Sequence, residues 1–386
     1  MSARSLGMGV LAIASIASIG CEPLPPRAAD SARASGPPPG VDTIASGLDV
    51  PWAVAFAPDG RMFVSERIGR IRVVENGTLR RQPWATIAVA ARGESGLMGL
   101  AVAPDFATSR AVYTVATVEK GDVLVNQVLR LTDEGGNAGQ PTVVLDDIPA
   151  AAFHAGDAIA FGPDGMLYVA TGDAREPALA QDTTSLAGKL LRLRPDGTVP
   201  DDNPVRGSPI YARGLRNTQG IAWDAGSGQL IATDHGPSGF PNERFRQNRD
   251  ELNAIPSGAN LGWPTVAGSS RDRRFVPPIV DWSDPGIAPA GVAVYTGPHA
   301  AWSGSVFVAA LKGEQLRRVT LVRDSTARAG WRAVSDEPLF ARQFGRLRAV
   351  AMGPDGMVYF TTSNRDGRGS PRANDDHVLR LRPYGR

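Results

Sequence analysis

Ala158-Ile-Ala-Phe-Gly-Pro-Asp-Gly-Met-Leu-Tyr-Val-Ala-Thr171 decides the fold. A short alternating strand runs into a Pro-Asp-Gly turn and out through a second alternating strand, which is the sequence form of a β-hairpin. The unit recurs in both directions along the chain. Toward the N-terminus stand Ala53-Val-Ala-Phe-Ala-Pro-Asp-Gly-Arg-Met-Phe-Val-Ser65, and Gly99-Leu-Ala-Val-Ala-Pro-Asp-Phe106 closing on Val112-Tyr-Thr-Val115. Toward the C-terminus stand Gly220–Thr233, the weaker pair Gly291–Tyr295 with Gly304–Val308, and Ala349–Thr362. A second motif of apolar-Arg-apolar type follows several copies, at Leu129–Leu131, Leu191–Leu193, Leu316–Val319 and Leu379–Leu381. Residues 41–386 divided among six copies allow about 58 residues each, room for four strands and their loops. The fold predicted is an all-β, six-bladed β-propeller of four-stranded blades. A β-sandwich is the competitor, but it does not require six hairpins built on one turn.

Composition agrees. Gly 44 and Pro 31 are too many for a helical bundle, and 42% hydrophobic residues supply a large core. With 41 basic against 39 acidic residues the chain has no basic excess of the kind a nucleic-acid binder concentrates on one face. One cysteine excludes an internal disulfide framework and zinc-thiolate sites, and none of the four histidines sits in an HExxH pattern. Residues 1–20 read as a signal peptide, one early charge before the apolar run from Leu6 to Ile19. Ser18-Ile-Gly-Cys21 resembles a lipoprotein cleavage box with Ser where Leu is usual, making Cys21 the lipidated residue; an ordinary secretory signal with an incidental cysteine is the alternative. Residues 21–40, rich in proline, read as a spacer to the propeller domain at 41–386. The chain is expected to be exported, and any membrane attachment to run through the lipid.

Candidate chemistry lies in loops beside the hairpins. His154, just before the third hairpin, has an imidazole suited to general base work; a routine loop histidine is the plain alternative. Arg216-Asn217 offers a fixed fork of donors beside an amide that both donates and accepts. Arg346 and Arg348 share one face of an extended segment, and two such neighbours repel unless an anion lies between them. With Lys312 they suggest a polycarboxylate site, the alternative being a solvated strand end. His235-Gly236-Pro237 frees backbone carbonyls that can ligate a hard cation such as Ca²⁺.

Taken together, these residues resemble the soluble quinoprotein sugar dehydrogenase family (glucose/sorbosone or aldose sugar dehydrogenases). The resemblance spans residues 45–384 through Pro51-Trp52, Gly93-Glu-Ser-Gly-Leu-Met-Gly-Leu100, Phe161–Gly165 with Thr171-Gly-Asp173, Asp250-Glu-Leu-Asn253 and Gly258–Pro264. It implies a six-bladed propeller that oxidises aldoses at C1 to the lactone, using pyrroloquinoline quinone (PQQ) and Ca²⁺ and passing electrons to an unidentified acceptor. By the same resemblance His154 is the base and Arg216 and Asn217 lie at the quinone oxygens. Lys312, Arg346 and Arg348 hold the cofactor carboxylates, the carbonyls of Gly236 and Pro237 ligate Ca²⁺, and Glu94 and Trp282 line the pocket. Two departures bear on the sugar: Asp157 and Ala158 replace family glycine and Arg, and Ser238–Arg249 form an Arg-rich insert. The sequence leaves two other readings open, a Ca²⁺-dependent lactonase and a non-catalytic carbohydrate- or partner-binding propeller. It does not fix the sugar or the oligomeric state.

Overall fold

The computed structural model describes residues 39–245 and 248–383. Six separate antiparallel sheets follow one another along the chain and form the blades of a six-bladed β-propeller. Their inner two strands are the predicted hairpins: Pro51–Phe56 with Met62–Glu66, Leu97–Val102 with Ala111–Lys120, and Gly156–Phe161 with Leu167–Thr171. The remaining three are Thr218–Trp223 with Leu230–Asp234, Pro289–Val294 with Ser305–Ala310, and Leu347–Met352 with Val358–Thr362. Each blade is built on four strands, and the first two blades carry one further strand apiece. The signal-peptide, Cys21 and spacer readings lie outside the described residues, apart from the start of the first strand at Gly40.

Side-chain chemistry explains why the turn and the Arg-centred motif travel together. In the third blade Asp164 of the turn accepts from Met166 N at 3.1 Å, Tyr168 Oη at 3.0 Å and Arg192 Nε at 2.9 Å. Asp355 of the sixth blade repeats this with Met357 N at 3.1 Å, Tyr359 Oη at 3.0 Å and Arg380 at 3.3 Å. One carboxylate thus caps its own turn and ties it to the third strand, so the two motifs are halves of one network. Between blades, apolar side chains from facing sheets interdigitate; one such layer joins Met98, Tyr113 and Val128 to Ile159, Val169 and Leu191.

The ring closes at the sixth blade, whose outermost strand comes from the start of the domain. Gly40–Ala45 pairs antiparallel with Val378–Arg382, so no sheet edge separates the two ends of the ring. Thr361 adds a hydrogen bond to the carbonyl of Pro51 at 3.0 Å, joining last blade to first. Among the described residues no helix is long and apolar enough to cross a membrane.

Candidate active site

Loops at one end of the blades enclose a cavity of about 290 Å³ lined by Glu94, His154, Arg216, Asn217, Lys312 and Arg346, together with Phe153, His235, Ser238, Phe240 and Arg368. Glu94 and Arg368, 274 positions apart in the chain, therefore meet at one place.

His154 sits at its centre. Its φ of +59° is a left-handed conformation that a non-glycine residue adopts only when its surroundings over-determine it. They do so here: His154 N donates to Glu94 Oε2 at 3.1 Å, and Nδ1 lies 2.8 Å from Asp173 Oδ1. Gly172 makes the approach possible, because a Cβ there would collide with the His154 carbonyl. Asp173 is itself fixed, accepting from Trp263 Nε1 at 2.8 Å and Arg175 N at 2.9 Å. A carboxylate on Nδ1 selects the tautomer with the proton there and leaves Nε2 as the basic nitrogen. The residue is 4% exposed and lines the cavity, the setting a general base requires.

Glu94 is the hub of the floor. It accepts from His154 N and Asn217 Nδ2 at 3.1 Å and from Arg368 at 3.0 Å. Burial pushes its carboxyl up, but His235, Arg368 and His154 reverse this and bring it to about 2. Burial takes His235 down to about 4, so it is neutral at neutral pH and Arg368 is the standing cation beside Glu94. His235 Nε2 is buried in the cavity wall without a hydrogen-bond partner among the described residues, an acceptor or donor left for a ligand. Asn217 Oδ1 accepts from Gly156 N at 3.1 Å, tying the third and fourth blades at the base of the site.

The cationic residues separate into two groups. Lys312 reaches the amide oxygen of Asn248, at 3.3 Å, and forms no ion pair among the described residues. Arg346 Nε donates to Asp366 Oδ2 at 2.7 Å, and Arg348 lies 3.6 Å from the same oxygen. The anion that the two neighbouring arginines require is therefore supplied by the protein itself. Burial raises the Asp366 carboxyl, but the two guanidinium groups outweigh it and hold it below its usual range. Arg348 also makes contacts on the other side of this carboxylate. It points into the central channel, with its guanidinium 3.6 Å over Trp52 and Nη1 donating to Gln219 at 3.2 Å.

Arg216 is buried and largely engaged. Nε donates to Glu243 Oε1 at 2.8 Å, Nη2 to Ser238 Oγ at 2.9 Å and Nη1 to the His235 carbonyl at 3.3 Å. Both members of this ion pair are almost wholly buried. Glu243 and Ser238 belong to the insert, which accounts for the difference from a free cation. Gly236 and Pro237 lie next to this cluster; the Pro237 carbonyl already accepts from Asn248 N at 2.8 Å, which leaves its second lone pair.

Trp282 is a correction. It stands in the outermost strand of the fourth blade, packs with Val306, Val319 and Trp331 of the fifth, and donates Nε1 to Asp336 at 2.8 Å. Its large apolar ring fills an inter-blade layer and takes no part in the cavity. The Asp157 side chain lies outside the described residues. Sequence reasoning gave no role to Asp173, Asp366, Glu243, Phe240 or Arg368. Asp173 was visible within Thr171-Gly-Asp173, and Glu243 within the insert, but neither spacing shows the partner.

The class to which this propeller belongs follows from sequence comparison. The family profile for Glucose / Sorbosone dehydrogenase matches residues 48–372, so the chain belongs to that family of sugar-oxidising oxidoreductases. The aldose sugar dehydrogenase of Escherichia coli K12 is 30% identical over 353 residues, covering 85% of this chain and 91% of that one. Among solved structures, an oxidoreductase assigned as a glucose dehydrogenase from Thermus thermophilus is 45% identical, with a TM-score of 0.81 over 89% of this chain and 99% of that one. The PQQ-bound aldose sugar dehydrogenase of Streptomyces coelicolor is 36% identical, with a TM-score of 0.77 over 90% and 99%.

Proposed function

We propose that the protein is a PQQ-dependent aldose dehydrogenase that converts the anomeric C1 of an aldose to the lactone. The observation that carries this is the His154–Asp173 pair opening into a cavity that also holds Lys312, Arg346 and Asn217. These residues fit the cofactor. Lys312 is an ammonium without a counter-ion among the described residues, His235 presents a buried unpartnered nitrogen, and Asn217 keeps donor capacity beyond its bond to Glu94. The likeness to a PQQ-bound relative supports the same cofactor.

Bound there, the quinone supplies the acceptor for a hydride. His154 Nε2 takes the proton of the C1 hydroxyl as that hydride leaves C1, and the sugar departs as the lactone. Asp173 holds Nδ1–H and stabilises the imidazolium that forms. Lys312 and Arg346 bind cofactor carboxylates, and Arg348 supports Arg346 from the channel side through Asp366. Asn217 and the remaining N–H of Arg216 serve the quinone oxygens. The carbonyls of Gly236 and Pro237 would hold Ca²⁺, which would supply positive charge to polarise the quinone. The sugar's electrons pass on to a separate acceptor. Export and lipidation at Cys21 complete this reading, and Cys21→Ser should release the protein from membranes.

The lactonase reading is disfavoured by a specific observation. The central channel is walled by small and apolar residues, Trp52, Leu100, Ile159 and Met352 among them, with Gln219 and Arg348, and its described lining carries no carboxylate to ligate a metal. The test of the base is His154→Asn. Stoichiometric PQQ uptake with aldose-dependent dye reduction down at least a thousandfold is expected. Activity within tenfold of the parent would remove His154 from the mechanism.

A further inference from the structure

The insert is a built wall of the pocket. Glu243 Oε2 accepts the successive backbone N–H groups of Ser238, Gly239 and Phe240 at 2.9, 2.8 and 3.0 Å. Its other oxygen takes Arg216 Nε at 2.8 Å. A single carboxylate, about 1% exposed, thus folds residues 238–243 around itself and anchors them to the fourth blade's loop. Asn242 Nδ2 adds a bond to the Arg175 carbonyl at 2.6 Å, tying the segment to the turn after Asp173.

What this frame presents is Phe240. Its ring centroid lies 5.5 Å from that of His154, and the Arg175 guanidinium sits 3.6 Å over it. Phe153 lines the same cavity, backed by Arg368 at 4.9 Å. Phe240 and Ser238 also border a second, open depression of about 640 Å³ walled by residues 238–241 and 243–245. Phe240 therefore partitions the cavity holding His154 from the space outside it.

We infer that Phe240 is a substrate-contacting specificity residue, its ring packing against the apolar C–H face of the sugar whose C1 meets His154, and that Glu243 is the positioning residue that holds it there. The inference rests on the aldose-oxidising reading above. A pyranose offers a face of C–H groups, and a fixed aromatic ring is the side chain that recognises it without competing for hydroxyls. Because the partition stands at the mouth, it limits the inner cavity to one ring and disfavours a sugar extended by a second unit.

The test uses the PQQ-loaded enzyme with glucose and maltose as probes, and cofactor uptake measured for every variant. Phe240→Ala should raise the glucose KM roughly tenfold with kcat within about twofold, and should shift preference toward maltose. Phe240→Tyr should restore the parent KM. Glu243→Gln should move KM in the same direction as Phe240→Ala at full cofactor uptake. An unchanged glucose KM in Phe240→Ala, or a loss confined to kcat, would overturn the inference while leaving aldose oxidation intact. Absence of sugar-dependent reduction by the cofactor-loaded parent would instead overturn the functional reading, and this inference with it.

Discussion

Asp366 shows how much one side chain can decide. It accepts from Arg346 at 2.7 Å and lies 3.6 Å from Arg348, keeping two adjacent guanidinium groups compatible inside the protein. Asp366→Asn should destabilise the cofactor-free protein by about 3 kcal/mol, read from urea unfolding. PQQ should recover part of that loss if its carboxylates reach the same arginines. The carboxyl is held below its ordinary value of 3.8 when folded, so its contribution is complete above 3.8 and is lost as pH falls from there through the folded value. The parent and Asp366→Asn unfolding free energies should accordingly converge below about pH 4, and a gap that stays constant down to about pH 2.5 would remove the ionic explanation. The arginine pair was legible in the sequence because i and i+2 share a strand face. Its anion was not, since Asp366 reaches it only through the return of the next strand. His154 was legible for its position before a hairpin, whereas the role of Asp173 depends on a close backbone approach that no spacing reveals.

At the scale of elements, the repeated hairpins were readable because turn chemistry and period-two alternation are local. Their packing was not. Gly220 lies within the inner strand of the fourth blade, and a Cβ there would lie 2.6 Å from the Ala290 carbonyl and 2.7 Å from Val292 N in the next blade. Glycine at this point sets the distance between inner strands. Gly220→Val should cost about 1–3 kcal/mol and lower the thermal midpoint measured by circular dichroism; an unchanged midpoint would show that the blades can slide apart without penalty. The same gap between local and non-local information misplaced Trp282: a tryptophan near pocket motifs lies in an outer strand, turned toward the neighbouring blade. The insert, by contrast, could be seen as a departure, but its Glu243-centred fold needs Arg216 from another loop.

On the scale of the whole molecule, ring closure assembles the site. Glu94 comes from the loop leading into the second blade and Arg368 from the sixth, yet they pair at 3.0 Å. Gly40–Ala45 completes the last sheet, the one from which the Arg368 loop projects. A chain begun at residue 47 should lose cofactor uptake as well as stability, with the exposed edge of Val378–Arg382 promoting aggregation in light scattering. Retained uptake in a monomeric truncated chain would mean that the sixth blade holds its place without the closing strand. The proposed activity requires the cavity around His154 to hold PQQ and to bring a sugar against it. The most direct measurement is titration of the cofactor-free protein with PQQ in the presence of Ca²⁺, followed by addition of an aldose while the quinone absorbance is recorded. Saturation at one PQQ per chain and loss of the oxidised spectrum on adding sugar are expected; no uptake, or a spectrum that sugar leaves unchanged, would contradict PQQ-dependent aldose oxidation at this cavity.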